Sequence, residues 1–230
     1  MLTIAHYVGV ISCTACPATG KLLRDAGENV PQPGFVGNRY ERTRVLLVGK
    51  NPATPPLALS REDQVYTHAL RALRDQPTAE SLDAVRRVTR TFMESWPIKQ
   101  KHFSLEEFGL GLDDIAFCNI VRCRTQGNAP LPVTFARTCA DRHFADWLDA
   151  LKPAVVVFIG KAPSEVGAAL VDARHIPHDF INCMRSLDAE ARKSNRARVA
   201  ALVKRRRGEA EALIAQRGAP AGRSRSPTRR

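Results

Sequence analysis

Ile115-Ala116-Phe117-Cys118, followed directly by Asn119-Ile120-Val121-Arg122-Cys123-Arg124-Thr125-Gln126-Gly127-Asn128, is the stretch on which the reading of this chain turns. Four apolar residues running into a polar one predict a buried strand with its carboxyl end over Asn119 to Cys123. In an open α/β sheet, ligands bind in the crevice outside the carboxyl ends of the strands. Fifteen residues separate Cys123 from Cys139, and Cys13-Thr14-Ala15-Cys16 near the start offers a second pair of thiols. Two such pairs from distant parts of one chain make a four-thiolate site of the kind that holds zinc or an iron–sulfur cluster. One short segment thus offers a polar group at a strand end and half of a metal site.

Outward from this segment, strand and helix patterns alternate. Val45-Leu46-Leu47-Val48 runs into Gly49-Lys50-Asn51-Pro52-Ala53 and reads as a buried parallel strand with a sharp loop after it. Ser60, Glu62 and Asp63 predict the cap and acidic first turn of a helix through about Leu73, with Tyr66, Ala69, Leu70 and Leu73 on one face. Helical spacing continues from Thr78 to Phe92, and a shorter helix opens at Ser104 and is closed by Gly109 and Gly111. Phe144 to Leu151 forms an amphipathic helix stopped by Lys152-Pro153. Ala154 to Gly160 is the most hydrophobic strand, Pro163 to Val171 a helix, His175 to Asn182 a fourth strand, and Ser194 to Arg206 a last helix. The first forty residues, with Pro17, Gly20 and Pro31-Gln32-Pro33-Gly34, read as irregular structure tied down by something other than helix or sheet, a tie that a metal would supply. Four apolar strands separated by helices predict a parallel sheet covered on both faces, a three-layer α/β/α sandwich. A single domain is expected over 1–207, with a basic tail over 208–230 whose Gly, Pro, Ser and Arg content is that of a disordered segment.

The 230 residues carry a net charge of +12, and Lys204 to Arg230 alone hold nine Lys or Arg against two Glu, more than half of the excess. Such a run serves either solubility or nucleic-acid binding. No apolar run is long enough to span a membrane, and Met1 to His6 lacks a basic-then-apolar signal pattern, so a cytoplasmic protein is expected, nucleoid-associated in a bacterium. In that compartment six cysteines point to metal ligation more than to disulfides.

Residues 10 to 205 resemble the uracil-DNA glycosylase superfamily, and within it the iron–sulfur members of families 4 and 5. Cys13, Cys16, Cys123 and Cys139 stand in that family's order, with its fifteen-residue gap between the last two. Asn119 to Asn128 is similar to the family's Asn-Val-Val-Lys-Cys-Arg-Pro-Pro-Gly-Asn segment. Gly49-Lys50-Asn51-Pro52-Ala53 stands where the family has its first active-site motif, and Leu148 to Gly160 resembles the helix and strand after the fourth cysteine. There are departures. Lys50 occupies a place usually held by an acid, and Asn51 resembles the mismatch-specific and single-strand-selective branches. The second motif is typically His-Pro-Ser; its best match is Asn182-Cys183-Met184-Arg185, with His175 and His178 upstream to supply an imidazole.

The resemblance implies a uracil-DNA glycosylase-like fold with a four-stranded parallel sheet and a monomer that flips uracil, or a related deaminated base, out of DNA and hydrolyses its N-glycosidic bond. It implies a [4Fe–4S] cluster on Cys13, Cys16, Cys123 and Cys139, with zinc as the alternative. Asn119, Tyr66 and Gly49 would bind the base. One amide offers both a donor and an acceptor to uracil's polar edge, although a buried Asn is also commonly satisfied by backbone. Tyr66 would stack on the base or simply pack in the core. Asn51 is neutral and cannot act as a base; it would hold a water, or serve only as the turn former that Asn-Pro often is. Asn182 and His178 would stabilise the departing uracil anion. Lys50, Arg122, Arg124 and Arg185 would contact phosphates, Lys50 alternatively facing solvent or attacking the sugar as an amine. Met184, with Leu187, would wedge into the gap left by the base or pack in the core. Cys118 and Cys183 are left as packed thiols. A non-catalytic protein recognising uracil or abasic sites, a relative that captures uracil-DNA covalently, and a zinc-stabilised module are the other readings.

Overall fold

The computed structural model describes residues 2–16, 22–23, 29–53, 60–94, 105–181 and 189–218, without the side chains of 192 and 210–218. The three apolar runs of the sequence are its central strands: β3 (Val45–Gly49), β4 (Ile115–Asn119) and β6 (Val155–Ile159). They lie parallel, Val45 level with both Ile115 and Val155 and Gly49 level with Asn119. β7 (His178–Ile181) adds a fourth parallel strand, Ile159 beside Ile181.

The expected four-stranded sheet has a fifth member among the described residues. β2 (Phe35–Val36) pairs antiparallel with β4, giving the order β2-β4-β3-β6-β7. Gly34 makes that approach possible, because a Cβ there would lie 2.4 Å from the Phe117 carbonyl oxygen. A separate antiparallel ribbon joins β1 (Leu22–Leu23) to β5 (Arg124–Thr125).

Side chains alternate across the strands, so each strand feeds two cores. On one face Leu46, Val48, Ala116, Cys118, Val156 and Phe158 meet α1 (Ile4–Ile11), α3 (Arg61–Asp75), α4 (Ala79–Glu94), α6 (Ala145–Leu151) and α7 (Lys161–Asp172). On the other, Val45, Leu47, Ile115, Phe117, Val155 and Val157 meet Met93, Phe108, Leu110 and two valines of α8 (Ala189–Gly218), Val199 and Val203. Each of these aliphatic side chains contributes roughly 1.5–3 kcal/mol by leaving water. The expected covering of both faces is present.

Ser60 caps α3 as expected, its Oγ accepting from the Asp63 N–H at 3.2 Å. α6 stops at Lys152, which takes the left-handed conformation (φ 46°) before Pro153. The helix expected after Ser104 is instead two 3₁₀ turns, Leu105–Phe108 and Leu112–Asp114. The last helix starts earlier and runs further than its apolar spacing implied, so residues 208–218 continue it; 219–230 lie outside the described residues.

The first forty residues are more regular than expected. α1 buries Tyr7, Val10 and Ile11 at i, i+3 and i+4, and Thr3 and His6 close a capping box at its start. The short helix α2 (Tyr40–Thr43) leads into β3 through Arg44 (φ 52°). α5 (Val133–Cys139) passes through a π-helical turn, Ala140–Phe144, into α6 without a break in the axis residues' helical backbone. Such turns are frequent at functional sites.

Candidate functional site

Two sites grow from the end of β4. The first is the carboxyl edge of the sheet. Pairing of β3 with β4 continues past the strands: Ile120 N–H donates to the Gly49 carbonyl at 2.9 Å and Val121 N–H to the Lys50 carbonyl at 2.9 Å. The turn Gly49-Lys50-Asn51 is thereby zipped to Asn119-Ile120-Val121. The Asn119 amide folds over Gly49, where an added Cβ would sit 2.4 Å from Asn119 Oδ1 and 3.3 Å from the Phe117 ring. Only glycine fits at position 49 with the amide in this place. Among the described residues the Asn119 side chain has no hydrogen-bond partner, so the expected alternative of a backbone-satisfied amide finds no partner in them.

Lys50 is exposed at this edge. Asn51 is half-buried, and its Nδ2 donates to the Pro52 carbonyl at 3.1 Å, the engagement expected of a turn former. Phe117 shares a sheet face with Asn119, two residues upstream, and is the aromatic ring placed beside the amide. The sequence reading passed over it, although an i, i+2 aromatic before a strand-end amide is a readable signal.

Four expected site residues are elsewhere. Tyr66 is only 2% exposed, stacked on Phe92 (centroids 5.4 Å apart) within the core on the opposite sheet face. Burial raises its hydroxyl pKa, and no surface is left for a base to stack on. His178 begins β7 rather than ending it, level with Val156; its Nε2 lies 3.0 Å from Asp172 Oδ1 and its ring packs edge-on against Phe158. It is three residues short of Ile181, roughly 10 Å along the strand. Arg122 is 1% exposed, lies 4.6 Å over the Trp147 ring and donates through Nη1 to the Pro33 carbonyl. Arg124 is also internal, ion-paired through Nη2 with buried Asp63 of α3. Neither guanidinium is open to solvent. Asn182, Met184, Arg185, Cys183 and Leu187 lie outside the described residues.

The second site is a small recess lined by all four expected ligands, Cys13, Cys16, Cys123 and Cys139, together with Leu22, Pro31, Val121, Phe135, Arg122, Arg142 and His143. The β1–β5 ribbon brings the chain after Cys16 against the chain after Cys123. Cys139 closes α5, and the Arg122 N–H donates to its Sγ at 3.4 Å. None of the four is in a disulfide. Burial pushes the Cys139 thiol up to about 11, with Cys13 and Cys16 adding to the rise and Arg122 opposing it. The thiols face one recess without being drawn up as ligands: among the described residues no group of three or more His, Cys, Asp or Glu is placed to hold a metal ion. The wall around them is cationic and under-satisfied. Arg122 Nε and Nη2 and His143 Nε2 are buried without hydrogen-bond partners, and burial with the nearby Arg122 charge lowers His143 to about 4. Four thiolates carrying a metal group would supply the missing negative charge, so the donor set fits such a group. Cys118 is a separate thiol in the sheet, its pKa raised by burial.

No protein-family model matches this chain, and no curated protein is significantly similar to it. Among the described residues no helix is long and apolar enough to cross a membrane.

Proposed function

We propose that this chain is a DNA-repair glycosylase of the uracil-DNA glycosylase type, with that family's fold, which flips uracil or a related deaminated base from DNA and hydrolyses its N-glycosidic bond. The observation that carries the reading is the Gly49–Asn119 pairing, which holds at the carboxyl edge an amide without a hydrogen-bond partner among the described residues. The resemblance of residues 10 to 205 supports it. Asn119 would accept from uracil's N–H and donate to its carbonyl, and would strengthen that donation as the C1′–N1 bond breaks and the electron pair moves onto the base. The bond breaks ahead of water attack, so no strong base is required; Asn51 would orient the water that adds to the sugar, its proton leaving to solvent.

Cys13, Cys16, Cys123 and Cys139 would hold a [4Fe–4S] cluster or, alternatively, zinc. When bound it would supply a structural cross-link, tying the N-terminal segment to the end of β4. In a reducing cytoplasm, or on the nucleoid, such thiolate ligation persists.

The test is an excision assay on uracil-containing oligonucleotides, single- and double-stranded, with Asn119→Ala beside the unsubstituted protein. Uracil release that falls at least about 100-fold with the fold intact is expected; release unchanged by the substitution would reject the role of Asn119. A second reading, a protein that binds uracil or abasic sites without turnover or captures them covalently, is favoured by exposed Lys50 at the same edge and by the prior engagement of Asn51 with Pro52. A gel shift on abasic DNA without any base release would establish the binding form, and a protein–DNA band that survives denaturant, with no more than one uracil set free per protein, the covalent form.

A further inference from the structure

From Ala191 to Gly208, α8 contains no acidic residue, and the cations on its described side chains divide into two kinds. Arg196, Arg198, Arg206 and Arg207 are turned to Glu107, Asp179, Glu209 and the Gly109 carbonyl. Lys193, Lys204 and Arg205 are exposed and have no ion-pair partner among the described residues. On an α-helix Lys193 and Lys204 fall within about 20° of each other and about 17 Å apart along the axis, while Arg205 stands on the other side of the solvent-facing half. Between the two sides the exposed positions are small, Ala197 and Ala201 among them. Val199 and Val203 anchor the opposite face in the core, so the cationic half is fixed in orientation. At its start α8 is tied to the strand bearing the sheet's carboxyl edge, Asn195 Nδ2 donating to the Phe180 carbonyl at 3.0 Å.

We infer that the outer half of α8 is a second, sequence-independent contact surface for duplex DNA, running away from the crevice. Small residues at its centre let the backbone of a duplex approach the helix, and cations on both flanks reach phosphates on either side. A spacing of about 17 Å corresponds to roughly five base-pair steps of one strand. The choice of DNA as the polyanion rests on the proposed glycosylase reading; the charge pattern itself does not.

The test uses the full chain and an undamaged duplex of about 20 base pairs, with binding followed by fluorescence anisotropy from about 50 to about 200 mM salt. The triple variant Lys193→Gln, Lys204→Gln, Arg205→Gln is compared with the unsubstituted protein, and circular dichroism checks that both are folded. Each lost phosphate contact flattens the plot of log K against log salt by roughly 0.9, so a slope shallower by about 2–3 is expected. A slope within about 0.5 of the parent would overturn the inference, as would equal affinity of the parent for poly-glutamate of matched charge, which would make the partner an acidic polypeptide. Uracil release by the unsubstituted protein is scored separately. Its absence refutes the proposed activity and leaves the slope comparison standing.

Discussion

Replacing Gly49 by alanine adds one methyl group at the point where the proposed base site is narrowest. That Cβ would stand 2.4 Å from Asn119 Oδ1, well inside contact distance, and 3.3 Å from the Phe117 ring. The ring needs to give only a few tenths of an ångström, but the amide must leave. Asn119 is half-buried at the strand end and can swing outward, so relief comes from a side-chain rotation rather than from the sheet. The stability cost is therefore expected near the low end of the range for added methyl groups, about 1 kcal/mol. The activity cost is larger. An amide rotated away loses its bonds to the base in the transition state, and deleting one such donor typically costs about 10²–10³ in rate, or about 3–4 kcal/mol. Single-turnover excision of uracil by Gly49→Ala, with a urea melt alongside, reads both quantities. The double variant Gly49→Ala, Asn119→Ala supplies the sharper check. If the methyl acts only by displacing the amide, the double variant should be no slower than Asn119→Ala alone, a coupling of the full size of the single effect. Additive losses, or a Gly49→Ala protein that releases uracil at the parental rate, would refute the assignment of Gly49 as the seat of the Asn119 amide.

Three further outcomes follow from the interior. Arg124→Ala should destabilise the fold by about 3–5 kcal/mol in urea denaturation, because it strands Asp63 in a buried position; joint replacement of Asp63 and Arg124 by Leu and Met should recover much of that loss. Anaerobic reconstitution with iron and sulfide should give coloured, iron-containing protein that Cys139→Ser fails to yield, and colourless parent protein retaining stoichiometric zinc would decide for the alternative metal. In the metal-free chain His143 should make stability depend on pH. Its folded pKa, lowered to about 4 from an ordinary 6.5, means that the unfolded chain binds the extra proton first. The associated stability is fully present above pH 6.5 and is lost as pH falls toward about 4, by up to roughly 3 kcal/mol; His143→Phe should flatten that dependence in urea titrations.

The central strands were legible because a parallel strand buried on both faces must be apolar throughout, and Val45–Val48, Ile115–Cys118 and Val155–Ile159 are. The two-residue strands Leu22–Leu23, Phe35–Val36 and Arg124–Thr125 are too short to carry any periodicity, and their pairing is decided by what lies opposite. α1 was passed over because Val8, Gly9, Val10 and Ile11 are weak helix formers; the Thr3 cap and the Tyr7, Val10, Ile11 face were the available signals. The phosphate contacts expected of Arg122 and Arg124 need exposed guanidinium groups, and arginine is seldom buried without a partner. Their partners, Trp147 and Asp63, come from helices far along the chain, which local reading does not pair. His178 lies upstream of the second motif in sequence, and because β7 begins there its imidazole stands three extended residues before Ile181.

The two candidate sites are one piece of backbone. Between Asn119 and Cys123 the backbone is held by separate parts of the fold: Ile120 and Val121 by the carbonyls of Gly49 and Lys50, and the Arg122 carbonyl by the Gln32 N–H at 2.8 Å. The Arg122 N–H is held by the sulfur of Cys139. The same Arg122 has two buried nitrogens, Nε and Nη2, without hydrogen-bond partners among the described residues, each costing about 1–3 kcal/mol while unmet. A negatively charged four-thiolate group in the recess would offset that cost and fix the segment four residues from the Asn119 amide. The cysteines therefore have a physical reason to matter for base recognition without exchanging an electron. Their metal would set how rigidly one short loop presents its amide, and rigidity within a fraction of an ångström is what a positioned hydrogen-bond donor requires.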